Sequence, residues 1–352
     1  MTPAIHTATE KKRPAPRRAL PSAAKALAVS TILLASSGCA QLLSLGMRQP
    51  IREGVEPQNS GRYYLYKPSN YDARKAWPLV VVCHGAFPDS AKNHIHNWTE
   101  AAESKGFLVA APKLKSPGAA TTRKAGKLIA RLRDDEQHVL NTIQHVRGAY
   151  HISDDRVFIH GWSGGAIAAL HTGLKHPDLF RAISVVQPKF QAALLADAEH
   201  LVDPDQPVFV DYSGTDTLTG NHARRLLDWL SDKHASVQEH GIGPARAGSV
   251  DRSVSFYENT IRSGLWIRIK VYPQDDPGGL TVRFRLKTSG TPVRYRWTFG
   301  DGDTSPVTAP VHTYRQPGTY RVKVSVATQE GLRDQQIVHI QVPNARIQRT
   351  QP

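Results

Sequence analysis

Cysteine is scarce: the 352 residues contain two, Cys39 and Cys83. Cys83 lies inside an apolar run and Cys39 inside a motif of its own, so the two are not expected to pair and no disulfide framework is read. Long apolar runs are missing too. The stretch 26–35 is apolar but falls short of the about 20 residues that a spanning helix needs. Acids are outnumbered, with 30 Asp and Glu against 45 Lys and Arg, a net charge of +15. Residues 1–38 account for +5 of this, through Lys11, Lys12, Arg13, Arg17, Arg18 and Lys25 against Glu10, which leaves +10. No basic run and no aromatic-interleaved basic patch follows residue 38, which argues against a nucleic-acid partner. Attraction to an anionic envelope surface is the expected consequence. What remains is globular composition, 40% apolar and 21% charged, in a length that suits two domains.

The N-terminus reads as an address. Basic residues at 11–25 precede the short apolar stretch, as in a secretory signal. Arg17-Arg18 match twin-arginine export poorly in their flanks. The stretch ends in Ser36-Ser37-Gly38-Cys39-Ala40, which resembles the lipobox of bacterial lipoproteins, with Ser36 where Leu is usual. That resemblance implies acylation of Cys39 and an exported, lipid-anchored protein of the cell envelope, at the outer membrane or cell surface, with no spanning helix. Plain secretion with an incidental Cys39 is the alternative. Residues 1–38 are then the signal peptide and 39–59, with Gly54, Pro50 and Pro57, a tether.

From 60 to 263, apolar runs at 62–66, 78–83, 107–111, 156–160, 182–186 and 207–212 alternate with helical periodicity at 127–150 and 221–233. This is the pattern of a doubly wound, mostly parallel sheet covered on both faces. Gly161-Trp162-Ser163-Gly164-Gly165 follows one strand and precedes the helix former 166–170. A sharp strand-to-helix turn with flanking glycines holds a serine hydroxyl above the sheet, at the positive end of a helix. Ser163 is the candidate nucleophile, and the Gly164 N–H an oxyanion donor. His84-Gly85-Ala86-Phe87 follows another strand and offers a second donor from the Ala86 or Phe87 N–H; His84 itself reads as a structural residue. Asp216, in Ser213-Gly214-Thr215-Asp216, is the favoured orienting acid, with Asp211 as its rival.

These residues, with 175–181 added, resemble the α/β-hydrolase fold, in particular polyhydroxyalkanoate depolymerase-like and feruloyl-esterase-like enzymes. The resemblance implies a serine carboxylic-ester hydrolase using acyl-enzyme chemistry on an ester substrate, polymeric esters among the candidates, with no metal or organic cofactor. It also implies a histidine after Gly241-Ile242-Gly243, where this chain has Pro244. His240, four residues earlier, is the tentative base, with His222 and His234 as alternatives. If none serves, the domain is a degenerate hydrolase acting as a non-catalytic surface-binding or adhesion lipoprotein, since a serine without a base is a poor nucleophile.

Residues 264–345 alternate apolar and polar side chains in short runs at 266–271, 281–286, 294–299, 319–326 and 336–342, separated by turn residues, as in an antiparallel sandwich. Trp297-Thr298-Phe299-Gly300-Asp301-Gly302-Asp303, His312-Thr313-Tyr314 and Pro317-Gly318-Thr319-Tyr320 resemble the PKD domain, an Ig-like module. Asp301 and Asp303 read as acidic turn residues in preference to a metal loop. The resemblance implies a spacer or a module that binds polysaccharide or protein. Residues 346–352 form a tail.

Overall fold

The computed structural model describes residues 49–117, 125–214, 217–241, 248–262 and 264–348. The expected signal segment, Cys39, Asp216 and Pro244 lie outside them. The first body runs β1 (Arg52–Val55), β2 (Arg62–Tyr66), β3 (Trp77–Cys83), α1 (Ala91–His96), α2 (Thr99–Lys105), β4 (Leu108–Pro112), α3 (Ala125–Ala149), β5 (Ile152–Trp162), α4 (Gly165–Lys175), β6 (Ala182–Val186), β7 (Val208–Asp211), α5 (Thr217–Asp232), β8 (Val237–His240) and α6 (Ser249–Arg262). Its strands form one sheet in the order β1-β2-β4-β3-β5-β6-β7-β8. β2 is antiparallel to β1 and β4, and the other pairs are parallel. That order, with the strand-turn-helix at Ser163, is the α/β-hydrolase fold.

The central strands are apolar on both faces because both faces are covered. Leu79, Val81, Ile159, Ile183 and Val210 pack with Leu132 of α3, Leu170 of α4 and Leu226 of α5. Val80, Val82, Phe158 and Phe209 pack with Ile95 of α1, Ala102 of α2 and Tyr257 of α6. Apolar burial of this kind contributes about 25 cal/mol per Å² removed from water.

The second body runs β9 (Ile267–Pro273), β10 (Thr281–Thr288), β11 (Pro292–Thr298), β12 (Thr304–Ser305), β13 (Val311–Thr313), β14 (Gly318–Thr328), β15 (Arg333–Val342) and β16 (Arg346–Gln348). A three-stranded sheet, β13-β10-β9, faces a five-stranded sheet, β12-β11-β14-β15-β16. Ile269, Phe284, Trp297, Phe299, Val324 and Ile340 fill the space between them.

Two boundaries differ from the sequence reading. β1 lies inside the expected tether and β16 inside the expected tail. Both are short, largely polar edge strands held by main-chain pairing to β2 and β15, so neither carries a hydrophobic period to read.

The two bodies are joined by buried charge. Arg268 Nε lies 3.3 Å from Asp203 Oδ2, with both side chains at least nine-tenths buried. Gln336 Nε2 donates to the same carboxylate at 3.4 Å, and Gln336 Oε1 accepts the Ile269 N–H at 2.6 Å. Lys270 pairs with Asp178, and Lys287 Nζ donates to Asp178 O at 2.9 Å. Burial pulls the Lys287 amine down to about 8. Asp178 and Asp203 precede β6 and β7, so the sandwich docks at the N-terminal ends of the parallel strands, opposite the end that carries Ser163. No helix among the described residues is long and apolar enough to cross a membrane.

Breaking a buried pair leaves an uncompensated charge, which costs about 3–5 kcal/mol, whereas replacing both partners with apolar residues costs little. Asp203→Ala is therefore expected to lower unfolding free energy by about that amount in a urea titration. Asp203→Leu with Arg268→Met is expected to recover most of it. A single-variant loss below about 1 kcal/mol would show that the junction does not depend on this pair.

Candidate active site

β5 ends at Trp162, α4 begins at Gly165, and Ser163 between them has φ of 50°. Holding a non-glycine residue there costs on the order of 1–3 kcal/mol and persists only where the surroundings enforce it. Here Ser163 N–H donates to Val186 O at 2.9 Å, while Ser163 O accepts from Ala166 N at 3.2 Å and Lys189 N at 3.3 Å. The glycines are required by space. A Cβ on Gly165 would stand 2.3 Å from both Cys83 O and His84 O, and one on Gly161 2.6 Å from Ala166 Cα.

The second donor loop reaches this turn. The Ala86 N lies 3.5 Å from where a Cβ on Gly164 would sit. Backbone N–H groups at Ala86 and Gly164 thus stand together at the start of α4, where helix polarity favours negative charge. His84 holds the loop from inside: Nδ1 donates to Gly85 O at 2.7 Å and Nε2 accepts Leu114 N–H at 3.1 Å. Burial keeps its pKa below the ordinary histidine value.

Asp89 fastens the other end of the loop, a role the sequence reading did not assign. Its carboxylate accepts from Gly85 N at 2.7 Å and Ser90 N at 2.8 Å and faces His94 Nδ1 at 3.1 Å. Burial alone would raise this carboxyl, but those hydrogen bonds outweigh it and hold it at about 2. The available signal was an Asp just before the capping Ser90 of α1, four residues beyond Gly85.

The acid and base positions fall differently. Asp216, the favoured acid, lies outside the described residues. The rival, Asp211, is fully buried at the end of β7. His240 Nδ1 meets Asp211 Oδ1 at 3.1 Å, and Arg252 of α6 meets Oδ2 at 2.8–2.9 Å. Burial raises the Asp211 carboxyl in spite of both partners. Trp162, Val186, Asp211 and His240 stand in one row across β5, β6, β7 and β8. Three strand spacings of about 4.8 Å put His240 roughly 14 Å from the β5 backbone, more than a histidine and a serine side chain bridge with a hydrogen bond. The structure brings His240 to Asp211 and not to Ser163. His222, on α5, has Nδ1 3.0 Å from Phe190 O, next to the Lys189 N–H that bonds Ser163 O. His234 lies beyond the end of α5, at the far edge of the sheet. Among the described residues no histidine is hydrogen-bonded to Ser163 Oγ.

In the second body, Asp301 accepts Asp303 N–H at 3.2 Å and meets His312 Nε2 at 2.7 Å. Ligand atoms of Asp301, Asp303 and His312 lie within 4.8 Å of one another.

Residues 271–342 match the family model of the PKD domain. No curated protein matches the chain. Among solved structures, an S-formylglutathione hydrolase from Staphylococcus aureus is 16% identical over 59% of this chain and 95% of its own, with a TM-score of 0.47. A CE1 ferulic acid esterase from Anaeromyces mucronatus is 14% identical over 60% of this chain and 89% of its own, with a TM-score of 0.47. The PKD1 domain of a Vibrio cholerae metalloprotease is 29% identical over 22% of this chain and 96% of its own, with a TM-score of 0.20.

Asp89 has a folded pKa of about 2 against an ordinary 3.8. Its stabilisation is therefore present above pH about 4 and lost as pH falls towards 2. Asp89→Asn is expected to flatten that limb of the stability–pH curve, followed by circular dichroism in urea. An unchanged acid limb would mean that the carboxylate does not hold the loop. Gly165→Ala is expected to destabilise by at least about 2 kcal/mol in the same measurement, because the added methyl meets main chain and not a movable side chain.

Proposed function

We propose that the α/β body is a serine carboxylic-ester hydrolase that works through an acyl-enzyme on Ser163. The observation that carries this reading is the enforced φ of 50° at Ser163, with the Ala86 and Gly164 N–H groups beside it. A strained serine next to paired backbone donors is built to attack a carbonyl carbon and to receive the resulting oxyanion. In that reaction Ser163 Oγ bonds to the acyl carbon, its proton passes to a base, and the alcohol leaves with a proton. Water then releases the acid by the same route.

His240 is the candidate base by its polarity, and the end of β8 must close towards Ser163 before Nε2 reaches the hydroxyl. Its Nδ1 faces a carboxylate, which leaves Nε2 as the proton acceptor, the polarity a serine hydrolase requires. In this reading Asp211 orients it, as Asp216 does in the alternative arrangement. No metal or organic cofactor takes part. An acylated Cys39 would hold the enzyme at the cell envelope, close to its ester substrates, polymeric esters among the candidates.

A second reading is a hydrolase fold retained as a binding scaffold. The row separation between Ser163 and His240, with Arg252 also engaged on Asp211, favours it. Hydrolysis of p-nitrophenyl acetate and butyrate by the chain from residue 41 separates the two. An ester hydrolase is expected to lose about 10³-fold or more in kcat on Ser163→Ala, and comparably on the histidine that serves, tested as His240→Ala and His222→Ala. Wild-type rates equal to those of Ser163→Ala, on these and on bulkier esters, would leave the scaffold reading standing.

A further inference from the structure

The two outer faces of the sandwich differ. On the three-stranded sheet, Arg268, Lys270 and Lys287 point outward and are engaged by Asp203 and Asp178 of the first body. The five-stranded sheet has its inner face on the core, through Trp297, Val322, Val324, Val338 and Ile340. By strand alternation its outer positions are 294, 296 and 298 on β11, 319–327 in steps of two on β14, 333–341 in steps of two on β15, and 346 on β16.

Those positions carry Arg294, Arg296, Arg321, Lys323, Arg333, Arg346 and His339, and not one Asp or Glu. The Arg residues are exposed and Lys323 is half-buried. Among the described residues none of the six cations has an ion-pair or side-chain hydrogen-bond partner. On the other sheet the cations nearest the first body, Arg268, Lys270 and Lys287, are matched by a carboxylate or a carbonyl, while Arg283 and Arg285 farther along β10 are exposed.

The pairing register gives the face a shape. Arg294, Ala327 and Arg333 form one row across the sheet, and Arg296, Ser325 and Gln335 the next. Along β14 the outer positions run Ala327, Ser325, Lys323 and Arg321, flanked by the long residues of β11 and β15, a strip of face about 10 Å wide, two strand spacings. Lys323 and Arg321 stand on this strip, about 7 Å apart along the strand.

We propose that this face is a docking surface for a linear polysaccharide carrying carboxylates, laid along β14. One extended chain laid along β14 passes Lys323 and Arg321, with Arg294 and Arg296 on one side and Arg333 on the other. Guanidinium groups match carboxylates with paired hydrogen bonds. The outer positions hold no Phe, Trp or Tyr on which bases would stack, and Ile337 is their one large apolar side chain, too little for insertion into lipid. Because the sandwich docks opposite Ser163, the bound polymer lies away from the elbow, and the surface serves as a hold. This inference stands whether or not Ser163 is catalytic.

The test is binding of polygalacturonate to the whole chain at 50 mM salt, by affinity electrophoresis and calorimetry. The quadruple change Arg294→Ser, Arg296→Ser, Arg321→Ser and Lys323→Ser is expected to weaken it at least tenfold and to flatten its salt dependence. Arg283→Ser with Arg285→Ser, exposed cations on β10 of the other sheet, is expected to leave it within twofold. Lys323→Glu alone provides a lighter variant, and thermal melts check that each protein is folded. The proposal is overturned if polygalacturonate does not bind, if both groups of variants weaken it equally, or if phosphatidylglycerol vesicles or duplex DNA bind the same face as tightly.

Discussion

Steric closure around Ser163 is the constraint on which the upper end of the molecule depends. The residue takes a left-handed backbone conformation that serine avoids, and two glycines must stay bare for the turn to exist. Gly165 packs directly on the main chain at Cys83 and His84, so the elbow and the donor loop are shaped by the same contact. His84, Asp89 and His94 then tie that loop to the segment after β4 and to α1. Strain at the serine and order in the loop are therefore two sides of one packing arrangement, which is how an oxyanion site is prepared before substrate arrives.

The other end of the sheet is organised by charge. Arg268 and Asp203 are both buried, and the surrounding cations stack on Trp266, with Arg181, Arg268 and Lys287 each within 6 Å of its ring. Such a junction is poor as a flexible joint, because separating it would expose unpaired buried charges. It fixes which sheet of the sandwich is covered and which looks outward. The five-stranded sheet, left outward, carries Arg294, Arg296, Arg321 and Lys323.

What could be read from the sequence was what depends on neighbours in the chain. The strands 78–83 and 182–186 are apolar throughout, and Gly161 to Gly165 states its own turn. The three PKD motifs of the second body also stand in order. What could not be read depends on residues that meet only in the fold. The Asp211, His240 and Arg252 cluster joins β7, β8 and α6, and no spacing announces it. Asp211 ranks below Asp216 in the sequence because an acid inside a strand must turn away from the core to serve, whereas in the fold it stays fully buried and the partly exposed His240 and Arg252 reach in to it. The polar edge strands β1 and β16 escaped notice because their pairing is made by backbone alone.

The most direct measurement is intact-mass analysis after exposure to a fluorophosphonate, which reports an activated serine whatever ester the protein prefers. A nucleophile at Ser163 predicts one adduct, mapped to the peptide that contains Ser163 and absent in Ser163→Ala. An unmodified wild-type mass, or an adduct that survives in Ser163→Ala, would contradict the account.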